Sequence, residues 1–301
     1  MKRYLYLFLA LAGIILAGCS EETDTTTEND GYARLNVSFG APQTYSGGQE
    51  VLPEEKVLKS VAFFIETESG EFHRYLSDQN DFETVKTDTD GNITAVGLKI
   101  GGTNPNGTAR IAAIGNHAEN GLAGALAAVN SMQDLVAMQS RDIEDYPIAS
   151  PFLACQEPTD LVIAGGTTQH KTFELKRLAA RIDLTITYWD NGVEKDPATL
   201  LYLPEVKVFS PKTRSYLLPA SEQAVSEIEQ ATIVEPSLTV SATNMTLTYY
   251  TYESSELDAA PLYIKMIYRN TGWQELNLVL TDGDDKPVIR RNHYYSPNIN
   301  L

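Results

Sequence analysis

Short runs in which apolar and polar residues alternate dominate the chain from Tyr32 onward, and Gly, Pro, Asn and Asp separate one run from the next. Alternation with a period of two predicts antiparallel strands that bury one face. In the clearest run the apolar positions are Ile182, Leu184, Ile186 and Tyr188. Burial of one face fixes the register of such a strand, because a slip by one residue would turn every apolar side chain to water. The chain is therefore predicted to be mainly β.

Similar alternation predicts further strands in both halves of the chain. In the first half the inward positions are Leu35, Val37 and Phe39 in one strand and Val61, Phe63 and Ile65 in the next. In the second half the predicted strands cover residues 206–208, 245–252, 262–269, 276–280 and 288–295. Asp282-Gly283 is typical of a hairpin turn between two of them. The second half thus has enough strands for one β-sandwich.

One segment, between Gly121 and Arg141, breaks the alternation. Its apolar residues recur at helical spacing: Leu122, Leu126, Val129, Met132, Leu135 and Met138. This spacing predicts one helix, and packing on a sheet face is a commoner reason for such a stripe than a methionine-lined binding groove. Residues 101–107 and 219–237 are predicted to be long loops.

The N-terminus has the pattern of a bacterial lipoprotein signal peptide. Lys2 and Arg3 give a positive start, residues 5–16 are mainly apolar, and Ala17-Gly18 precedes Cys19. The apolar run is shorter than a membrane-spanning helix needs. The alternative is a soluble secreted protein with a chance cysteine at this place.

Cleavage of residues 1–18 would leave Cys19 as the first residue of the mature chain. Cys19 is the predicted lipidation site, with acyl chains on its sulfur and its amine, and two or more chains anchor a protein stably to a membrane. Residues 19–31 are rich in Glu, Asp, Thr and Asn and offer little to bury. They are predicted to be a disordered tether between the lipid and the fold.

The chain is acidic, with 23 basic and 40 acidic residues and a net charge of −17. Removing residues 1–18 takes away two of the basic residues and none of the acidic ones, which changes the net charge from −17 to −19. A nucleic-acid partner is not expected, because binding phosphates requires clustered Lys and Arg on one surface.

Sequence motifs for catalysis or cofactor binding are absent. Once Cys19 is acylated, Cys155 has no partner for a disulfide, and its apolar surroundings predict a buried side chain rather than a nucleophile. The four histidines are isolated, and residues 101–107 lack the lysine of a phosphate loop. Residues 88–92 fit a hairpin turn better than a calcium loop, because Gly91 comes two positions early. We expect neither an enzyme nor a cofactor or metal site.

Several patches in the folded part resemble the fimbrillin family of Bacteroidales, the FimA-like and Mfa-like pilus proteins. They are residues 57–65, 109–118, 148–166, 173–182, 249–253 and 291–295. The basic strand at 173–182 is the most specific of them, and the lipoprotein pattern that ends at Cys19 precedes them all. The resemblance rests on the order of the patches along the chain.

The resemblance implies two tandem transthyretin-like β-sandwich domains, at residues 32–170 and 171–301, with one helix in the first and a junction near His170. It also implies a structural role in a fimbrium at the outer membrane and cell surface. Subunits of the family assemble by β-strand exchange, in which an added strand completes an open sheet. The expected partners are other fimbrial subunits, the outer membrane through the lipid anchor, and a ligand on a host or bacterial surface.

In stalk subunits of the family an Arg-specific protease removes the first strand. The candidate protease site here is Arg34, which precedes the apolar positions of the first strand, and the next arginine is Arg74. Cleavage after Arg34 would remove the tether without opening a groove. This favours a membrane-anchoring or accessory subunit, although Pro297 and the chain end at Leu301 leave little sequence for a donor strand. A polymerising stalk subunit or a tip adhesin is the alternative.

A surface glycan-binding lipoprotein is the alternative from another class. The aromatic residues that could form a stacking platform for sugars are Tyr249, Tyr250, Tyr252, Trp189 and Trp273. Strand tyrosines that cover a sheet face are the simpler explanation. Exposed and coplanar rings would favour glycan binding.

Overall fold

The computed structural model describes residues 32–40, 52–101, 106–142, 148, 151–196, 205–236, 239–241, 244–269, 272–281 and 286–301. The predicted signal peptide 1–18, the tether 19–31 with Cys19, the turn Asp282-Gly283 and residues 102–105 of the predicted glycine-rich loop lie outside these ranges.

Strands make up most of the regular structure, which confirms the mainly β prediction. The first part of the chain contains β1 (Ala33–Gly40), β2 (Val61–Thr67), β3 (Phe72–Leu76), β4 (Thr84–Thr87), β5 (Ile93–Ile100), β6 (Gly107–Gly115), β7 (Ala154–Ile163), β8 (Thr168–Glu174) and β9 (Lys176–Arg177). The second part contains β10 (Ala180–Asp190), β11 (Val193–Lys195), β12 (Glu205–Phe209), β13 (Ile233–Val234), β14 (Thr239–Val240), β15 (Met245–Thr251), β16 (Tyr263–Arg269), β17 (Trp273–Val279), β18 (Tyr294–Tyr295) and β19 (Asn298–Asn300). Among the described residues the α-helices are α1 (Ala123–Ala127), α2 (Met132–Ala137) and α3 (Glu222–Ser226), and Pro53–Lys56 and Ser77–Gln79 form short 3-10 helices.

The first part of the chain forms two facing sheets. One has the strand order β4-β5-β1-β8 and the other β3-β2-β6-β7-β9. Their inner faces share a core that includes Leu35, Val37, Phe63, Ile65, Leu98, Ile111 and Phe173. Between β4 and β5, residues 88–92 form the predicted hairpin turn, in which Asp88 Oδ1 accepts hydrogen bonds from the backbone N–H of Asp90 (2.9 Å) and Asn92 (2.8 Å).

The second part forms another pair of sheets, in agreement with the predicted tandem sandwiches. Their strand orders are β11-β10-β15-β14 and β13-β12-β16-β17. Ile182, Leu184 and Ile186 of β10 lie in their common core, together with Val208, Met245, Ile264 and Met266. On its other side β10 pairs in parallel with β18 and β19.

The junction between the two sandwiches follows from the strand pairing. The boundary predicted near His170 falls within β8, which pairs in parallel with β1. The following strand β9 pairs with β7, so that the first pair of sheets extends to Arg177. The second pair begins with β10 at Ala180.

The predicted single helix is wrong in one respect, because the segment forms two short helices. α1 ends at Ala127 and α2 begins after Ser131, whose side chain accepts a hydrogen bond from the backbone N–H of Asp134 at 3.0 Å. Ser131 has an extended backbone and therefore separates the two helices, because an extended residue cannot continue a helix. The predicted loop 219–237 likewise contains α3 and β13.

The helices explain why β2 is buried on both faces. Ala62 and Phe64 point away from the first core and pack with Leu126 and Leu135 of the helices. The second sandwich contributes to the same cluster through Leu217, Leu218, Tyr250 and Tyr252. This third core joins the two sandwiches.

The strand predicted at residues 288–295 is reduced to β18. Ser254 takes the place of a neighbouring strand, because its hydroxyl accepts a hydrogen bond from the backbone N–H of Ile289 at 2.7 Å and its own N–H donates to the Ile289 carbonyl at 2.9 Å. The N–H of Arg290 donates to the Tyr295 hydroxyl at 2.9 Å. Within the described ranges no helix is long and apolar enough to cross a membrane.

Candidate assembly site

The first strand, β1, is an inner strand of its sheet. It pairs antiparallel with β5, where Leu35 lies opposite Leu98, and in parallel with β8, where Leu35 lies opposite Gln169. A strand with neighbours on both sides hydrogen-bonds through both edges of its backbone. Its departure would leave two open strand edges facing each other across a slot.

The inward side chains of β1 are part of the first core. Ala33, Leu35 and Val37 are between 0% and 2% exposed. Fully burying a side chain of the size of Leu or Val stabilises a fold by about 1.5–3 kcal/mol. The slot is therefore apolar, and an unfilled slot would expose this surface to water.

Aromatic rings close the core around the end of β1. Phe63 of β2 has its ring centroid 6.0 Å from that of Phe39 in β1 and 5.8 Å from that of Phe173 in β8. Phe82 meets the same ring edge-on at 6.0 Å. Phe63 thus contacts β1 and its parallel neighbour together.

The candidate protease site, Arg34, is the second residue of β1. Its backbone N–H donates to the carbonyl of Thr167 at 2.8 Å, and the residue is in register with Lys99 of β5. Its Nε lies 3.5 Å from Glu83 Oε2. Proteases cut a segment after it has opened from the fold. In the folded state the peptide bond after Arg34 is held in the sheet.

The C-terminal strands fill the free edge of β10. The backbone N–H of Thr185 donates to the Pro297 carbonyl at 3.0 Å, and Trp189 and Thr187 exchange backbone hydrogen bonds with Leu301 at 2.8 and 2.9 Å. The side chain of Ile299 is 7% exposed and lies in the second core. Pro297 does not prevent pairing, since its carbonyl serves as an acceptor.

Asn116 fixes the entrance to β2 and belongs to one of the patches that carry the family resemblance. Its side-chain amide donates to the carbonyls of Val57 and Phe152, both at 2.8 Å, and its Oδ1 accepts from the backbone N–H of Lys59 at 2.8 Å. Its backbone is left-handed with φ 61°, a conformation that Asn adopts more readily than most residues. The Asn-containing turn thus has a structural role, because it holds the segment before β2 against Phe152.

A buried polar contact joins the two sandwiches. Glu55, whose side chain is fully buried, accepts a hydrogen bond from the Tyr250 hydroxyl at 2.8 Å. Arg181 Nη1 lies 3.6 Å from the same carboxylate, and Nε and Nη2 of Arg181 donate hydrogen bonds to Asp183. The ring of Tyr250 also packs against Phe152, with the centroids 4.4 Å apart.

A second polar contact lies beside Cys155 of β7. Arg291 forms a two-pronged ion pair with Glu253, and both side chains are largely buried. Cys155 is 1% exposed, as predicted, and burial raises the pKa of its thiol to about 11. A thiol that stays protonated is a poor nucleophile.

The aromatic residues do not form the platform that glycan binding would favour. Tyr249, Tyr250 and Tyr252 are 0%, 8% and 4% exposed. Trp189 and Trp273 are exposed, but they lie on different sheets, in β10 and β17. In the part of the chain that the structure describes, no group of three or more His, Cys, Asp and Glu side chains could hold a metal ion.

Sequence reasoning placed two site residues, Cys19 and Arg34. Cys19 lies outside the described ranges, and Arg34 lies in a paired strand. The parallel pairing of β1 with β8 was not anticipated, because alternation shows which residues face inward but not which strands are neighbours. The interdomain role of Glu55 was missed as well. The local sequence offered no signal, because Glu54 and Glu55 are adjacent glutamates and only the second is buried.

No protein-family model matches the chain, and no curated protein matches it. Solved structures do match it over nearly its whole length. A candidate cell adhesion protein from Bacteroides eggerthii is 17% identical with a TM-score of 0.60, covering 91% of this chain and 88% of that one. Another from Parabacteroides distasonis is 15% identical with a TM-score of 0.60, covering 89% and 88%. A fimbrial assembly protein from P. distasonis is 17% identical with a TM-score of 0.51, covering 89% and 90%. At these identities the likeness establishes a shared fold.

Proposed function

We propose that this chain is a structural subunit of a fimbrium at the cell surface, tethered to the outer membrane through acylated Cys19 and acting as the membrane-anchoring or accessory subunit. Its partners are other fimbrial subunits. The fold shared with a fimbrial assembly protein and with candidate adhesion proteins supports this role. The lipoprotein pattern before Cys19 supports the tether.

The position of β1 carries the proposal. An apolar strand held between β5 and β8 occupies the kind of slot that a strand from another subunit can fill, with main-chain hydrogen bonds for affinity and alternate side chains for specificity. Cleavage after Arg34 would leave Leu35, Val37 and Phe39 in that slot. Because the sequence has no arginine between Arg34 and Arg74, an Arg-specific protease has no site in the segment that follows β1. This supports a subunit that keeps its first strand.

The C-terminal strands support a terminal position in the fimbrium. Described residues from 294 to the chain end pair with β10 of the same chain, so that donating them would first require breaking that pairing. A subunit at the base or tip needs to exchange strands with only one neighbour. A polymerising stalk subunit or a tip adhesin with a host or bacterial ligand is the alternative role. The glycan-binding alternative has less support, because the three tyrosines are buried.

Mass spectrometry of the N-terminus tests the proposal. The full chain is expressed on its native membrane, with and without an Arg-specific protease, and the N-terminal peptide and its lipid are identified. An acylated Cys19 still joined to Tyr32 and Leu35 is the expected result. A mature chain that begins beyond Phe39 and runs as a ladder in gels would instead make this a polymerising stalk subunit.

A further inference from the structure

Edge strands expose unpaired backbone groups and invite pairing with other chains unless they are short, charged or bulged. Nearly all the edges that the structure describes are protected in this way. Most of these edge strands are short: two residues in β9, β13, β14 and β18, three in β11 and β19, and four in β4, which also has a register shift at Lys86. The longer edge strands carry a basic residue, which is Arg74 in β3 and Lys171 in β8.

β17 is different. It has seven residues, pairs with β16 on one side, and among the described strands forms the edge of its sheet on the other. It contains no Lys, Arg or Pro, and its register with β16 runs from Trp273 to Val279 without a shift. Its one charged residue, Glu275, has its carboxylate 2.7 Å from Lys265 Nζ in the neighbouring strand. An edge of this length without a protective device is suited to pairing with another strand.

The outward face of this sheet carries an apolar row that stops at β17. One row across the four strands is apolar: Ile233, Phe209, Tyr263 and Val279. The rings of Phe209 and Tyr263 are stacked, with centroids 4.6 Å apart and planes 4° from parallel. Val279, at the open end of the row, is 43% exposed, and Trp273, on the same face of β17, is 63% exposed. A further strand with an apolar side chain opposite Val279 would continue the row.

We infer that β17 pairs antiparallel with β17 of a second copy of this chain, about a two-fold axis at Leu276. In this register Trp273 of each copy lies opposite Val279 of the other, Gln274 opposite Leu278, and Glu275 opposite Asn277. Trp273 thus continues the apolar row of the second copy. Aromatic and β-branched residues in directly opposed positions stabilise strand pairs by about 0.2–1 kcal/mol.

The self-pairing is also compatible with charge. Glu275 faces the amide of Asn277 rather than its own copy, so no like charges oppose each other directly. An interface in which the same strand serves both copies is closed by two-fold symmetry. One strand pair buries less than about 1,200 Å², which is the range of weak and transient contacts. A dimer this weak would dissociate during gel filtration, so the pairing is detected by covalent cross-linking instead.

A disulfide trap tests both the partner and the register. The full chain carries Glu275→Cys and Asn277→Cys together, and native membranes are treated with a mild oxidant. Directly opposed positions in an antiparallel pair are close enough for a bridge. We expect a homodimer on non-reducing gels, with position 275 of one copy linked to position 277 of the other in the peptide mass spectrum. Each single variant is expected to give at least about tenfold less dimer, because position 275 does not face itself.

Two charge variants complete the test. Adding Val279→Lys to the double-cysteine chain places a charge opposite Trp273 of the second copy and is expected to lower the dimer yield several-fold. Ile233→Lys is the matched control, since Ile233 is 46% exposed at the opposite edge of the same sheet. It is expected to leave the yield unchanged. Thermal unfolding verifies that each variant is folded.

Three outcomes would overturn the inference. A folded double-cysteine chain that yields no dimer would show that β17 does not self-pair. Equal dimer from the single and double variants would indicate random collision. A bridge to a different protein would mean that the edge accepts another subunit instead of a second copy.

Discussion

Glu55 and Tyr250 are 195 positions apart in the sequence and meet through a 2.8 Å hydrogen bond from the tyrosine hydroxyl to the buried carboxylate. Glu55 precedes β2 of the first sandwich, and Tyr250 lies in β15 of the second. The contact is surrounded by the third core, where Phe152 packs on the tyrosine ring. This polar contact within an apolar interface fixes how one sandwich sits on the other, because a buried carboxylate needs its donors in place.

Removing the Tyr250 hydroxyl should destabilise the junction between the two sandwiches. Tyr250→Phe keeps the ring contact with Phe152 but takes one donor from a buried carboxylate, which costs about 1–3 kcal/mol. Chemical denaturation of the full chain measures the change. Tyr268→Phe, in β16, is the control and should change the stability by less than about 0.5 kcal/mol. Equal effects of the two variants would show that the Glu55 contact contributes nothing.

Proteolysis at Arg34 should depend on opening of β1. Val37→Ala removes buried apolar surface from β1 and costs about 1.5–3 kcal/mol, so the opened population rises by about tenfold or more if opening is limited to this strand. Cleavage after Arg34 by an Arg-specific protease, followed by mass spectrometry, should accelerate by the same factor. Ser38→Ala, at an exposed position of the same strand, should have no such effect. Rapid cleavage of the unaltered chain would contradict the paired state of Arg34.

The buried ion pair between Lys212 and Asp258 should contribute far more to the free energy of unfolding than the exposed pair between Lys286 and Glu256. The two charges are 2.7 Å apart, and each side chain is 1% exposed. Asp258→Ala leaves a buried lysine without its carboxylate and should cost about 3–5 kcal/mol. Glu256→Ala breaks the exposed pair with Lys286 and should cost at most about 1 kcal/mol. Equal losses in denaturant unfolding would refute this difference.

Cys155 should resist alkylation in the folded chain. Its pKa of about 11 means that very little thiolate forms at pH 8, and its burial excludes the reagent. Iodoacetamide should label it slowly up to about pH 10, where the thiol is still mainly protonated, and rapidly in denaturant. Peptide mass spectrometry reports the site. Fast labelling of the native chain at pH 8 would show that β7 opens locally.

Strand prediction was complete where one face of a strand is buried, and it missed the burial of the second face where both are buried. β10 was predicted position by position, because its outward residues Asp183, Thr185 and Thr187 are partly exposed and its inward residues are buried. In β2 the intervening positions Ala62 and Phe64 are as buried as their neighbours, since α1 and α2 cover the second face. The break between those helices, near Ser131, depends on a local cap that the apolar spacing does not register.

The sequence alone determined the mainly β class, the inward faces of most strands, the burial of Cys155 and the expectation of an acylated N-terminus, because each depends on local composition or on a short periodic pattern. Only the tertiary structure decided that β1 lies between β5 and β8, that Glu55 reaches Tyr250, and that β17 is an edge among the described strands. These are relationships between segments distant in sequence. They are set by which strands become neighbours, and alternation within a strand carries no information about its neighbour.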